Sequence, residues 1–383
     1  MDDGFALYVH VPWCRHVCPY CDFNVYADRR PPEDDYTTAL VRELVDWAAK
    51  PPWAGRQVAS IYVGGGTPSL FSPDAIERVL VAARDLFGLA PDAEVTLEAN
   101  PGTVTAATLA RYRDAGINRL SLGVQSFAPR LLERLGRDHT PDDAEAAVVV
   151  AREVGLENVS VDLIFAVPGS TLAEWTDDLE RAIALGPAHV SAYALTFEER
   201  TPFHAWRQSG RLRAVDEDDE AAMAEHTAAR LSVAGYERYE ISSWARAGRA
   251  SRHNQRYWDG SHYLGIGAGA HSFDAGPPDA LRWSNVRHPR AYMDAVATGA
   301  TAVAETRRLD VAEARSDFVF TGLRRVVGVD AARFGRRFGL TIGDAFPQVP
   351  ALVRDGLLEW TGECLRLTPQ GLRFADTVAA SFV

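Results

Sequence analysis

The chain has 383 residues, 47% of them apolar and 24% charged, with a formal net charge of −12. That length suits a large domain joined to a small one, and no run of about 18 apolar residues offers a transmembrane helix. The acidic balance argues against a nucleic-acid binder held by phosphate contacts. The opening MDDGFALYVHVPW lacks the basic and then apolar stretches of a signal peptide, so a cytoplasmic protein is expected.

Up to about residue 200 one pattern repeats: a short β-branched run, a turn, then an amphipathic helix. The predicted strands are Leu7–Val11, Ser60–Val63, Glu94–Glu98, Leu120–Gln125, Val159–Ile164 and Val190–Leu195. Helices are predicted over Tyr36–Ala49, Asp74–Leu86, Ala106–Ala115, Asp142–Val154 and Leu172–Ala184. Ser72-Pro73, Thr105 and Thr140-Pro141 suit helix starts, and Gly88, Gly116, Gly155 and Gly186 suit helix stops. Alternating β and α implies an α/β fold with a parallel sheet and right-handed crossovers. Six units are counted, two short of the eight of a closed (β/α)8 barrel.

The strands carry a second signal. Ser121, Gly123 and Gln125 alternate with Leu120, Leu122 and Val124; Ser160 and Asp162 alternate with Val159, Val161 and Leu163. Tyr8 and His10 oppose Leu7, Val9 and Val11. A parallel strand buried only for stability reads apolar on both faces. One polar face predicts an interior that holds a polar ligand, with Glu98 and Gln125 at the strand ends where α/β folds place their sites.

After residue 200 the rhythm breaks. Asp216–Ala234 predicts a helix and Gly235–Ser243 a strand, and the Gly-, His- and aromatic-rich Arg252–Phe273 reads as a functional loop region. A shift near 305–312 opens a last segment. Its helices Asp310–Val326, Ala331–Phe338 and Pro350–Asp355 precede a hairpin, Leu357–Trp360 with Leu365–Thr368. That order predicts a small α+β, winged-helix-like C-terminal domain. The expected organisation is a barrel over 1–200, an extension over 201–305 and the winged domain over 306–383.

Three of the four cysteines fall in HVPWCRHVCPYCDF, as Cys14, Cys18 and Cys21, directly after the first strand. Such clustering indicates metal ligation rather than a disulfide framework. Cys364 stands alone and is set aside. A 4Fe–4S cluster takes four thiolates, so three leave one iron open for a small ligand. The alternative is structural zinc with His10 or His16 as fourth ligand, although zinc ligands normally come as paired knuckles.

Cys-x3-Cys-x-aromatic-Cys, with Tyr20 as the aromatic, resembles the signature of radical S-adenosylmethionine (SAM) enzymes. The resemblance implies a six-unit partial barrel in which SAM chelates the open iron. Gly64-Gly65-Gly66-Thr67-Pro68 after the second strand fits a SAM cradle. By the same resemblance Gly65, Gly66 and Thr67 meet the methionyl amino end. Glu98 accepts from the ammonium, Arg137 donates to the carboxylate, Gln125 and Asp162 bond the ribose, and Tyr8 stands beside the cluster.

YVHVPWCRHVCPYCDF, GGGTPS, LGVQSF, the run from Asp162 and the winged segment resemble the oxygen-independent coproporphyrinogen III oxidase-like group. The oxidase proper has a further cysteine two residues after the third, where this chain has Phe23, and a longer N-terminal extension. Both departures match the HemW-type branch, read as heme chaperones. His253-Asn254-Gln255-Arg256-Tyr257-Trp258 resembles the HNxxYW motif of that branch, which makes His253 the leading heme-ligand candidate, ahead of His10 and His16. Gly265-Ile-Gly267-Ala-Gly269 is not a dinucleotide loop, because His271–Asp274 and then Pro277-Pro278 give no following helix. It predicts a close backbone approach, to SAM or heme. The resemblance thus implies a heme chaperone with a 4Fe–4S cluster and SAM, heme as cargo, apo-hemoproteins as acceptors, and visits to a membrane. The other functions it allows are coproporphyrinogen III dehydrogenase and radical SAM methyltransferase.

Overall fold

A computed structural model describes residues 4–276 and 278–383; Met1–Asp3 at the chain's start and Pro277 of the Pro277-Pro278 pair lie outside them. The six predicted strands all form. They are β1 (Phe5–Val11), β2 (Val58–Gly65), β3 (Leu89–Ala99), β4 (Arg119–Gln125), β5 (Val159–Phe165) and β6 (His189–Ala194), each parallel to the next. Helices α1 (Glu33–Ala48), α2 (Pro73–Phe87), α3 (Ala106–Asp114), α4 (Pro129–Leu135), α5 (Pro141–Glu153) and α6 (Leu172–Leu185) connect them. The caps fall where the sequence puts them. Ser72 accepts from the Ala75 N–H ahead of Pro73, and Thr140 and Asp143 bond each other's backbone in a capping box. Each such cap contributes about 1 kcal/mol.

Alternation decides which face is which. Leu7, Val9, Val11, Ile61, Val63, Leu120, Leu122, Val161 and Leu163 are buried with the helices in one apolar core. Removing each large aliphatic side chain from water contributes roughly 1.5–3 kcal/mol. The opposite face is polar, as expected: Ser60, Glu94, Arg119, Ser121, Ser160, His189 and Ser191 are all buried inside the barrel.

After residue 200, following α7 (Pro202–Gln208), the predicted helix forms as α8 (Glu217–Val233) and the predicted strand as β7 (Glu237–Glu240), which with β8 (Ser243–Ala245) adds antiparallel beyond β6. The stretch expected to be a loop region contains helix α9 (Arg252–Trp258) and strands β9 (Tyr263–Ile266) and β10 (His271–Asp274). β9 lies parallel to β1 on its far side, a seventh parallel strand that no local repeat announces. β11 (Ala280–Asn285) and β12 (Val303–Leu309) complete one sheet of order β12-β11-β10-β9-β1-β2-β3-β4-β5-β6-β8-β7. The segment shift near 305 therefore falls within a strand. Met223, Leu231, Trp244, Leu264 and Trp283 join the barrel's own core, so the hydrophobic interior runs through residue 200 without a break.

A second core forms around Phe318, Phe334, Phe338, Phe346, Leu358 and Leu365. There the hairpin β13 (Leu358–Thr361) and β14 (Cys364–Leu367) pairs with the short strand Val329–Asp330, giving the expected wing. Among the described residues no helix is long and apolar enough to cross a membrane.

Candidate functional site

A cavity of about 450 Å³ opens at the C-terminal ends of the parallel strands. Cys14, Cys18 and Cys21 line it from the loop after β1, and all three are free thiols. Gly65, Gly66, Thr67, Glu98, Gln125, Arg137 and Asp162 line it too. These candidates lie far apart in sequence, and the barrel brings them together.

The loop after β2 is built against the cysteine loop. The Gly66 N–H donates to Val11 O at 2.8 Å and the Thr67 N–H to Trp13 O at 2.8 Å. A Cβ on Gly66 would stand 2.5 Å from Trp13 O, and one on Gly65, at φ +115°, 2.5 Å from the His10 ring. The glycines thus admit the chain's own backbone and ring first, and through that fit hold the loop at the cavity wall. The Thr67 hydroxyl donates to Cys14 Sγ at 3.5 Å.

Arg137 follows α4, where Gly136 ends the helix. Its guanidinium bonds Gly123 O at 2.8 Å and Cys18 Sγ at 3.8 Å, which places a positive charge beside the thiol. Burial pushes the Cys14 thiol up and the Cys21 thiol up to about 12, so both carry protons that a metal must displace. Among the described residues no three His, Cys, Asp or Glu side chains converge on a single ion. A cluster differs in that each of its irons takes its own thiolate. Of the histidines weighed for zinc, His10 is engaged at both ring nitrogens and His16 at one. His10 bonds the Tyr8 hydroxyl at 3.0 Å and Asn24 O at 2.9 Å, and His16 Nε2 bonds Gly136 O.

Glu98 receives the Tyr62 hydroxyl at 2.7 Å and the Gly65 N–H at 3.0 Å. Burial raises its carboxyl to about 7 against these two bonds. Asp162 accepts from Ser121 at 2.8 Å and Ser160 at 3.1 Å. Gln125 ends β4 at φ +66°, an uncommon backbone for a residue with a side chain. The next two residues explain how it is held: Ser126 Oγ and the Phe127 N–H donate to the buried Asp178 at 2.6 and 2.7 Å.

Two expected residues lie elsewhere. Tyr8 is absent from the cavity wall; it bonds His10 and stacks on Tyr62 at 6.2 Å. His253 is fully buried below the cavity, with Nδ1 bonded to Ser60 Oγ at 2.9 Å and Nε2 to the Tyr257 hydroxyl at 2.8 Å. Neither ring nitrogen is available to an iron in this arrangement. Burial also lowers its pKa to about 3, so the ring is neutral. Its neighbour Asn254 is the motif residue that reaches the cavity. The glycine run 265–269 approaches the chain itself: a Cβ on Gly267 would meet His10 O at 2.6 Å and one on Gly269 the Asn24 side chain at 2.4 Å.

Tyr62, Arg119, Ser191 and Tyr193 also line the cavity, beyond the residues expected from the sequence. The signal that finds them is the inward alternation already seen in β4 and β5, extended to Tyr62 on β2 and Ser191 and Tyr193 on β6. At the mouth, Phe23 is 64% exposed.

Residues 8–182 match the radical SAM superfamily and residues 309–374 the HemN C-terminal domain. The chain is 36% identical to heme chaperone HemW of Bacillus subtilis over 99% of both chains. It is 38% identical to heme chaperone HemW of Mycobacterium tuberculosis, covering 99% of this chain and 95% of the relative. Among solved structures, coproporphyrinogen III oxidase (HemN) from Escherichia coli, a radical SAM enzyme, shares the fold at a TM-score of 0.84 and 24% identity, covering 100% of this chain and 90% of that one. A radical SAM barrel followed by a HemN-type C-terminal domain, matched end to end by these relatives, places the chain in the HemW family.

Proposed function

We propose that the chain is a heme chaperone of the cytoplasm. It holds a 4Fe–4S cluster on Cys14, Cys18 and Cys21, binds SAM next to it, and carries heme to apo-hemoproteins. The observation that carries the reading is one cavity lined by three free thiols and by Glu98, Arg137 and Asp162, in a chain similar over its full length to proteins named heme chaperone.

The donor set fits these groups. Three thiols satisfy three irons and leave the fourth open. Glu98 accepts from an ammonium, while Arg137 offers a charged donor to a carboxylate. Asp162 and Gln125 serve ribose hydroxyls, and Gly65, Gly66 and Thr67 wall the amino end. Tyr8 acts from behind, through the His10 ring against which Gly65 packs. When bound, the cluster and SAM supply one-electron chemistry at the sulfonium. The chain's own residues orient the ligand and keep water from it.

Heme is assigned to the cavity mouth rather than to His253. Of the three histidines weighed for it, His16 lines the cavity, with its side chain 42% exposed. Phe23, which lines the same cavity, presents an exposed apolar ring suited to a macrocycle face. Anaerobic reconstitution followed by heme titration tests the reading. The expected result is about four irons per chain and a Soret band that saturates with heme. An intact cluster with no Soret band overturns it.

A further inference from the structure

Below the cavity, the barrel floor contains a line of hydrogen bonds whose direction can be deduced. Ser160, fully buried on β5, donates its hydroxyl to Asp162 Oδ1 at 3.1 Å. A serine hydroxyl has a single proton. The 2.8 Å bond between Ser160 Oγ and His189 Nδ1 must then be donated by the ring. His189 is 1% exposed, and burial beside Arg119 holds it neutral. With its proton on Nδ1, Nε2 is an acceptor, and it takes the Tyr239 hydroxyl at 2.8 Å. Tyr239 Oη itself accepts the Ser251 N–H at 3.3 Å, at the N-cap of α9.

The order is therefore Ser251 to Tyr239, Tyr239 to His189, His189 to Ser160 and Ser160 to Asp162. The Ser121 hydroxyl fixes the other Asp162 oxygen at 2.8 Å. A carboxylate gripped at both oxygens cannot rotate without breaking one bond, and its remaining lone pairs serve the cavity that it lines. If His189 could not donate, the Ser160 hydroxyl would lose the partner that directs its proton onto Asp162. Second-sphere donors of this kind orient groups that touch a ligand.

We infer that His189 is a positioning residue: acting through Ser160, it fixes Asp162 for recognition of the vicinal hydroxyls of a bound nucleoside. The inference rests on the reading of Asp162 as the ribose acceptor. The test compares two probes on the anaerobically reconstituted chain, S-adenosylhomocysteine and its 2′,3′-dideoxy analogue. Wild type should prefer the first. His189→Leu should weaken S-adenosylhomocysteine roughly tenfold, the scale of a lost hydrogen bond to a charged group, and leave the dideoxy analogue within about twofold. His189→Gln, which fills the site but places its amide near Nε2, should lose the same discrimination and covers the case in which the leucine variant does not fold. His189→Asn sets an amide N–H near the Nδ1 position and should restore most of the preference. Equal weakening of both probes by His189→Leu and His189→Gln, or no weakening of either, overturns the role of His189. A wild type that does not distinguish the probes overturns the Asp162 reading itself, before any variant is made.

Discussion

Glu98 is held between its charged and neutral forms. Burial raises its carboxyl from 4.5 to about 7, while Tyr62 and the Gly65 N–H pull the other way. The anion is the form that attracts an ammonium. SAM affinity should thus rise with pH up to about 7, by at most about tenfold per unit. Glu98→Gln should bind more weakly and lack that rise. Calorimetry from pH 5.5 to 8.5 checks this, and a flat wild-type profile contradicts the role given to Glu98. Folding stability runs the other way. A carboxyl with a raised folded-state pKa keeps its contribution below about 4.5 and loses it as pH rises through about 7. Asp178 supports the site without touching it. Asp178→Ala strands the Ser126 hydroxyl and the Phe127 N–H, and should cost about 2–4 kcal/mol in urea denaturation. Much of the site was legible at this scale. The cysteine spacing is a chemical constraint written in one loop, and Glu98, Gln125 and Asp162 end or line strands whose alternation shows in the sequence. His253 was not legible as a buried group. Its sequence context is that of a loop histidine, and only the docking of Ser251–His253 on the Glu94 carboxylate reveals that the segment closes the barrel floor.

Among the elements, α9 is the one whose role changed. Glu94 accepts the Arg252 N–H at 3.1 Å and the His253 N–H at 3.0 Å, which fixes the start of the helix beneath β3. His253 then bridges Ser60 and Tyr257. His253→Ala should cost about 2–4 kcal/mol of stability, from a cavity and two buried hydrogen bonds left open, with the heme Soret position unchanged in the folded fraction. Denaturation and heme titration on one preparation decide it: unchanged stability with a shifted Soret band would return His253 to the iron. Strand β9 was illegible for a related reason. It has four residues, includes Gly265, shows no alternation, and pairs with a strand at the other end of the chain. Only the assembled sheet supplies the partner that makes it a strand. By contrast, β1 to β6 carry their own evidence in alternation, helix caps and even spacing.

The whole molecule combines an apolar shell with a polar interior. The shell is what a parallel α/β fold needs for stability, and the polar interior is what a ligand needs for recognition. The winged domain adds its own aromatic core at Phe318, Phe334 and Phe338. At this scale the three thiols act together, so a Cys14→Ala, Cys18→Ala, Cys21→Ala variant should lose bound iron and the cluster's visible absorbance while its far-ultraviolet circular dichroism stays close to wild type. Loss of the fold along with the iron would make the thiols structural. Delivery of heme is the central claim, and the most direct measurement is transfer. Chain loaded with heme, with its cluster intact, is mixed with an apo-cytochrome and the Soret band is followed after separation. The expected result is heme leaving the chain and appearing in the cytochrome faster than free heme is taken up under the same conditions. Heme that stays on the chain, or transfer no faster than free heme, contradicts the chaperone reading.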